Sequence, residues 1–283
     1  MTFRKIAQQR FLLPATALLV CALPVHSREA ARRSCNELAP GFALAYQSRA
    51  YVCCRKMEFQ AALKDAKSAI KLCPRLSSAH GLCGYAYLNL GKVKPALNYI
   101  EQAIELDPDH YWFRTVHGNA LEQAGENARA IDEYNRSIEL NSSDAWTYVS
   151  RGTLRAYMGD GPGGLMDLER AIKIDPNYAV AYESRGYVRS FMHDSKGALD
   201  DYERAVLLDP ELASSYALKG LLYETTGEYS KALKDYDRAI ELVPTFAAAY
   251  KARASCRRKS GDRAGAASDM KVWTTLKTQA QSE

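Results

Sequence analysis

Histidines, carboxylates, cysteines and one glycine run are the groups in this sequence that chemistry would recruit. His110 and His117 lie seven residues apart, but no third ligand recurs at helical spacing, so they read as surface or packing residues rather than a metal site. Gly161-Pro162-Gly163-Gly164 is glycine-rich, as phosphate-cradling loops are. It is not part of a GxxxxGK[ST] loop, and no GxSxG elbow or HExxH zinc helix occurs. Carboxylates are plentiful but fall at periodic positions, as solvated faces and ion pairs do. The expectation is a non-enzyme, with no catalytic residue, cofactor or metal.

The elements that would position any site follow a lattice. Pro74, Pro108, Pro176, Pro210 and Pro244 lie on a 34-residue spacing, broken only at Ser142 within Asn141-Ser142-Ser143-Asp144. With each Pro at position 32, units begin at 43, 77, 111, 145, 179, 213 and 247; the seventh has Thr278 in place of its Pro. Position 8 holds Ala50, Gly84, Gly118, Gly152, Gly186, Gly220 and Ala254. Position 20 holds Ala62, Ala96, Ala130, Gly164, Ala198, Ala232 and Ala266. Position 27 holds Ala69, Ala103, Ser137, Ala171, Ala205 and Ala239, then Trp273. Small residues at fixed places let two helices approach closely, and the Pro stops the second helix of each unit. Gly91, Gly125, Gly159, Gly227 and Gly261 mark the turn between the helices.

These columns resemble the tetratricopeptide repeat family. The resemblance covers 43–280 and implies an all-α, right-handed α-solenoid of about seven 34-residue helix-turn-helix repeats. Around it lie a leader at 1–27, a cap segment at 28–42 and a tail at 281–283. Residues 270–283 should complete a polar end cap. The glycines at 161–164 should weaken the start of the second helix of repeat four.

Two columns change together. Position 7 reads Arg49, Cys83, His117, Arg151, Arg185, Lys219, Arg253; position 23 reads Asp65, Tyr99, Glu133, Asp167, Asp201, Asp235, Asp269. Repeat two loses cation and carboxylate at once. That matched loss predicts a structural ion pair between the two helices of each repeat rather than a basic ladder for an acidic ligand.

The cysteines outside the leader are Cys35, Cys53, Cys54, Cys73, Cys83 and Cys256. Their spacings match neither CxxC nor CxxCH, against zinc, redox catalysis and haem attachment. A bridge from Cys35 to Cys53 or Cys54 would tie the cap segment to the array, with free buried thiols throughout as the alternative. Cys256 is expected to be free or intermolecular.

In the family, positions 2, 5, 9, 12 and 13 of each first helix line a concave groove. Carried over, they name Tyr51, Tyr85, Trp112, Asn119, Trp146, Tyr157, Glu183, Tyr187 and Phe191 as groove residues, with Trp112 and Trp146 as its centre. The Lys and Asn clamp of chaperone-binding relatives is missing, because Gln47 and Tyr51, Gly81 and Tyr85, and Thr115 and Asn119 stand in such places.

Arg4, Lys5 and Arg10 precede the apolar run 11–25, which is too short and too Pro-broken to prefer spanning a bilayer. Cleavage after Ser27 and export, to a periplasm, are expected, with an uncleaved N-terminal anchor as the alternative. Of the net charge of +5, these 27 residues contribute +3, so the body carries no nucleic-acid footprint. The resulting expectation is a scaffold or adaptor binding a protein or peptide segment in its groove. The alternatives are a self-associating envelope component or an accessory subunit of an enzyme complex.

Overall fold

The computed structural model describes residues 40–282. Fourteen helices and no strand occur among them: α1 Pro40–Arg55, α2 Phe59–Leu72, α3 Ser77–Asn89, α4 Val93–Leu106, α5 Tyr111–Ala124, α6 Asn127–Leu140, α7 Ala145–Tyr157, α8 Gly161–Ile174, α9 Ala179–Phe191, α10 Ser195–Leu208, α11 Ala213–Thr225, α12 Tyr229–Leu242, α13 Ala247–Lys259 and α14 Arg263–Ser282. They form an all-α solenoid of helical repeats. The first helices of repeats two to seven begin at residues 77, 111, 145, 179, 213 and 247.

The described residues divide into two compact units, 40–154 and 155–282. In the first, α1 packs on α2, α3 on α4 and α5 on α6, and α2 and α4 also pack on the helix that follows each. Tyr85, Phe113, Trp146, Ile100 and Tyr134 are its largest fully buried side chains. In the second, every consecutive pair from α8 to α14 is packed, around Tyr202, Tyr236, Leu168 and Leu212. The small columns explain the close approach. A Cβ added at Gly118 would stand 2.5 Å from the Tyr134 ring.

Each turn between the two helices of a repeat is closed by one residue in the left-handed region. Glycine supplies it in five repeats, but Met57 (φ 63°) and His193 (φ 64°) adopt it in repeats one and five. Only glycine does so without a steric penalty.

The glycine run does not weaken α8, which has the same 14 residues as α6 and α10. Asp160 caps it, accepting the Gly163 backbone N–H at 2.9 Å, and Pro162 occupies the first turn. A Cβ at Gly163 would collide with the Asp160 carboxylate. The pairs Asp194/Gly197 and Asp262/Gly265 repeat this arrangement. Glycine here makes room for the cap.

In the last helix, Trp273 stands where six repeats carry Ala or Ser, with Lys251 and Lys277 amines 5.1 and 5.4 Å from its ring centroid. Met270, in the column of the buried Tyr202 and Tyr236, is exposed.

Candidate functional site

The columns assigned to the groove split into buried and exposed members. In 40–154, Trp112 and Trp146 are only 3% and 1% exposed. Both pack on the buried Tyr85, with ring centroids 5.9 and 6.3 Å apart. Gly81 makes the space, since a Cβ there would collide with the Phe113 ring and meet the Trp112 ring at 2.9 Å. The expected groove centre is therefore core. Tyr51 is half-buried against the same cluster. Asn119 is buried, its Oδ1 accepting the Tyr134 hydroxyl at 2.7 Å. Glu183, from the 155–282 unit, is buried too, accepting the hydroxyls of Ser214 and Ser215 at 2.6 and 2.5 Å. Of these side chains only Tyr51 keeps appreciable surface open to a partner.

The other expected groove residues of 155–282 stay open. Tyr157 is 59% and Phe191 75% exposed, with Tyr187 half-buried beside Tyr157. Met158 and Met192, at position 14, are exposed as well. Met192 reaches the preceding repeat at Gly161, where an added Cβ would meet its sulfur at 3.0 Å. Sequence reasoning passed over both methionines. The legible signal was the dipeptides Tyr157-Met158 and Phe191-Met192, one repeat length apart; position 13 elsewhere is Arg55, Asn89, Gln123, Thr225 or Lys259.

The charged columns meet across the two helices of a repeat. Arg49 donates to Asp65 at 2.7 Å, Arg185 to Asp201 at 2.7 Å and Arg253 to Asp269 at 2.6 Å, while Lys219 lies 3.2 Å from Asp235. The hydrogen bonds and charge of Arg49 hold the Asp65 carboxyl below the usual range, whereas burial pushes Asp235 up. Position 11 adds a second cation: Arg155 reaches Asp167 at 2.9 Å, Arg189 reaches Asp201 at 2.8 Å and Arg257 reaches Asp269 at 3.0 Å.

The ladder also joins neighbouring repeats through position 25, a column the sequence reading overlooked. Arg253 donates to Asp237 and Arg151 to Asn135, at 2.6 and 2.7 Å. His117 stands between Glu101 and Glu133, at 3.8 and 3.6 Å, and Arg114 also holds Glu133. Position 25 is Lys67 ahead of Cys83, where no cation follows, and Lys271 in the last repeat, which has no following repeat to meet. Position 4 follows the same rule. Tyr46, Tyr148, Tyr182, Tyr216 and Tyr250 lie under the permanent cations of their own repeats, 5.3 to 5.8 Å from ring centroid to charge.

Cys53, Cys54, Cys83 and Cys256 are free and buried, so neither expected bridge to Cys53 or Cys54 forms. Cys73 is disulfide-bonded. Cys35 lies outside the described residues, as do the leader and nearly all of the cap segment. Burial pushes Cys54 and Cys83 up to about 12 and Cys256 up to about 11, leaving all three as thiols at neutral pH. Cys256 is fully buried and does not reach a second molecule from the folded chain. Among the described residues no group of three metal-ligating side chains gathers, and no helix is long and apolar enough to cross a membrane.

Family profiles described as tetratricopeptide repeat match residues 84–145 and 213–246, inside the lattice of paired helices. These are tetratricopeptide repeats. Tetratricopeptide repeat arrays are typically non-catalytic scaffolds for protein interaction. A tetratricopeptide repeat protein from Parabacteroides merdae is similar in fold, at 16% identity and TM-score 0.63 over 83% of this chain and 93% of that one. A thermophilic tetratricopeptide repeat protein of Thermus thermophilus aligns at 18% identity and TM-score 0.60, over 64% and 98% of the two chains. The APC/C hetero-tetramer Cut9-Hcn1 contains a chain aligned at 16% identity and TM-score 0.68, covering 97% of this chain and 52% of that one. At these identities the likeness is one of fold. Comparison with curated proteins finds no match.

Proposed function

We propose that this tetratricopeptide repeat chain is a non-catalytic adaptor that seats a partner polypeptide on the first-helix face of 155–259. The observation that carries this reading is the exposure of Tyr157, Met158, Phe191 and Met192 in register on adjacent repeats. Tyr157 and Phe191 give a partner much contact area with few torsions to freeze, and the flexible methionines beside them adapt to its shape. Elsewhere in the array position 13 is polar, so the patch is local rather than a general property of the fold. The basic start and short apolar run at 11–25 support export of the chain, with N-terminal sequencing of envelope material near Arg28 as the check.

The test is selection of peptides from a displayed random library on the wild-type protein, then on Tyr157→Ser/Phe191→Ser. The adaptor reading expects selected peptides to lose at least tenfold in affinity for the variant while its melting temperature stays within a few degrees. Equal binding by a folded variant would move the site elsewhere.

A further inference from the structure

Beyond the aromatic patch, the same face changes character towards the C-terminus. From Val180 to Lys259, positions 2, 5, 9, 12 and 13 hold two carboxylates, Glu183 and Glu224. Both are buried and engaged, Glu183 by Ser214 and Ser215, and Glu224 by the Tyr236 and Ser255 hydroxyls and the Lys259 amine, each at 2.9 Å. Neither presents a negative charge to an arriving chain. Repeat six contributes the neutral Leu221 and Thr225. Repeat seven contributes Lys251, Arg258 and Lys259, all exposed. The imbalance is regional as well: residues 247–283 hold eight Lys/Arg against three Asp/Glu, whereas 28–246 hold 27 against 30.

Resting on the adaptor reading, we infer that the partner is a polypeptide segment whose apolar anchor is accompanied by acidic side chains. Phe191 takes the anchor, and Lys251 and Arg258, two repeats along, take the acids. Neighbouring first helices lie about 10 Å apart, so two repeats span about 20 Å. An extended chain at about 3.3 Å per residue crosses that in roughly six residues. Charge complementarity fixes the direction of the bound segment: reversed, its acidic end would lie beside Tyr157 and Met158 and leave the cations unmet.

The probes are three fluorescein-labelled 14-residue peptides sharing one Leu/Phe-rich half and differing in the other half: Asp/Glu, Ser/Asn or Lys. Anisotropy against the full chain should show the acidic peptide binding at least tenfold more tightly than the neutral one, about 1.4 kcal/mol. The preference should vanish in Lys251→Glu/Arg258→Glu and survive Lys271→Glu, whose charge lies off this face. Tyr157→Ser/Phe191→Ser should weaken all three peptides. Equal affinity for acidic and neutral peptides, with sensitivity to Tyr157→Ser/Phe191→Ser, would overturn the acidic-partner inference alone. Binding that ignores Tyr157→Ser/Phe191→Ser, or no binding of any peptide at 100-micromolar protein (an order-of-magnitude ceiling of about −5 kcal/mol), would overturn the adaptor reading with it. Capture by phosphatidylglycerol vesicles without any acidic-peptide preference would also overturn the inference.

Discussion

Replacing Trp146 by Ala separates a core from a docking surface more sharply than any other single change. The ring is almost wholly buried in the 40–154 unit, edge-on to Tyr85. Truncation removes about 150–250 Å² of buried surface, which at about 25 cal/mol per Å² is roughly 4–6 kcal/mol before relaxation. Core Trp→Ala changes cost about 3–5 kcal/mol, so about 4 kcal/mol is the working figure. Phe191→Ala is the counterpart: with three-quarters of the residue already in solvent, it should cost about 1 kcal/mol or less. Urea unfolding followed by far-UV circular dichroism measures both. A Trp146→Ala protein destabilised by less than about 1 kcal/mol yet unable to bind peptide would refute the burial argument and restore Trp146 as an anchor.

Three further outcomes follow from particular contacts. His110 stacks on Phe113 with centroids 4.2 Å apart, and burial lowers its pKa to about 4. The unfolded chain therefore binds the extra proton first, so this group withdraws stability as pH falls from about 6.5 to about 4, by roughly 3 kcal/mol in all. Urea midpoints across that window should fall more steeply for wild type than for His110→Phe; parallel slopes would contradict it. His193→Gly should raise stability by about 0.5–1 kcal/mol by relieving a left-handed non-glycine residue, and a loss would show that the His193 side chain supports the turn. Non-reducing peptide mapping should find Cys53, Cys54, Cys83 and Cys256 as free thiols once unfolded and Cys73 in a cross-linked peptide. Alkylated Cys73 in oxidised protein would contradict that.

The repeat lattice was legible because backbone demands recur: small residues where helices touch, a turn residue, a helix-stopping Pro. The cation at position 7 was legible for the same reason, but only half of its surroundings was. Its second partner sits at position 25 of the preceding repeat, as Asp237 does for Arg253, and its tyrosine platform at position 4, as Tyr250 does; neither column pairs with position 7 within the sequence pattern alone. The groove was misjudged where a neighbour's missing side chain decides burial. Trp112 at position 2 turns inward because Gly81 in the repeat before it leaves a hole, a condition no single column expresses. The glycines at 161–164 misled in the opposite sense, since their role depends on Asp160 immediately before them.

Hydrogen–deuterium exchange on the full chain, with and without a saturating peptide selected on the wild-type protein, tests the seat of binding most directly. New protection is expected in peptides spanning residues 155–196, extending to 247–259 for an acidic peptide, with none around Trp112 and Trp146. Protection confined to residues 78–150 would contradict it.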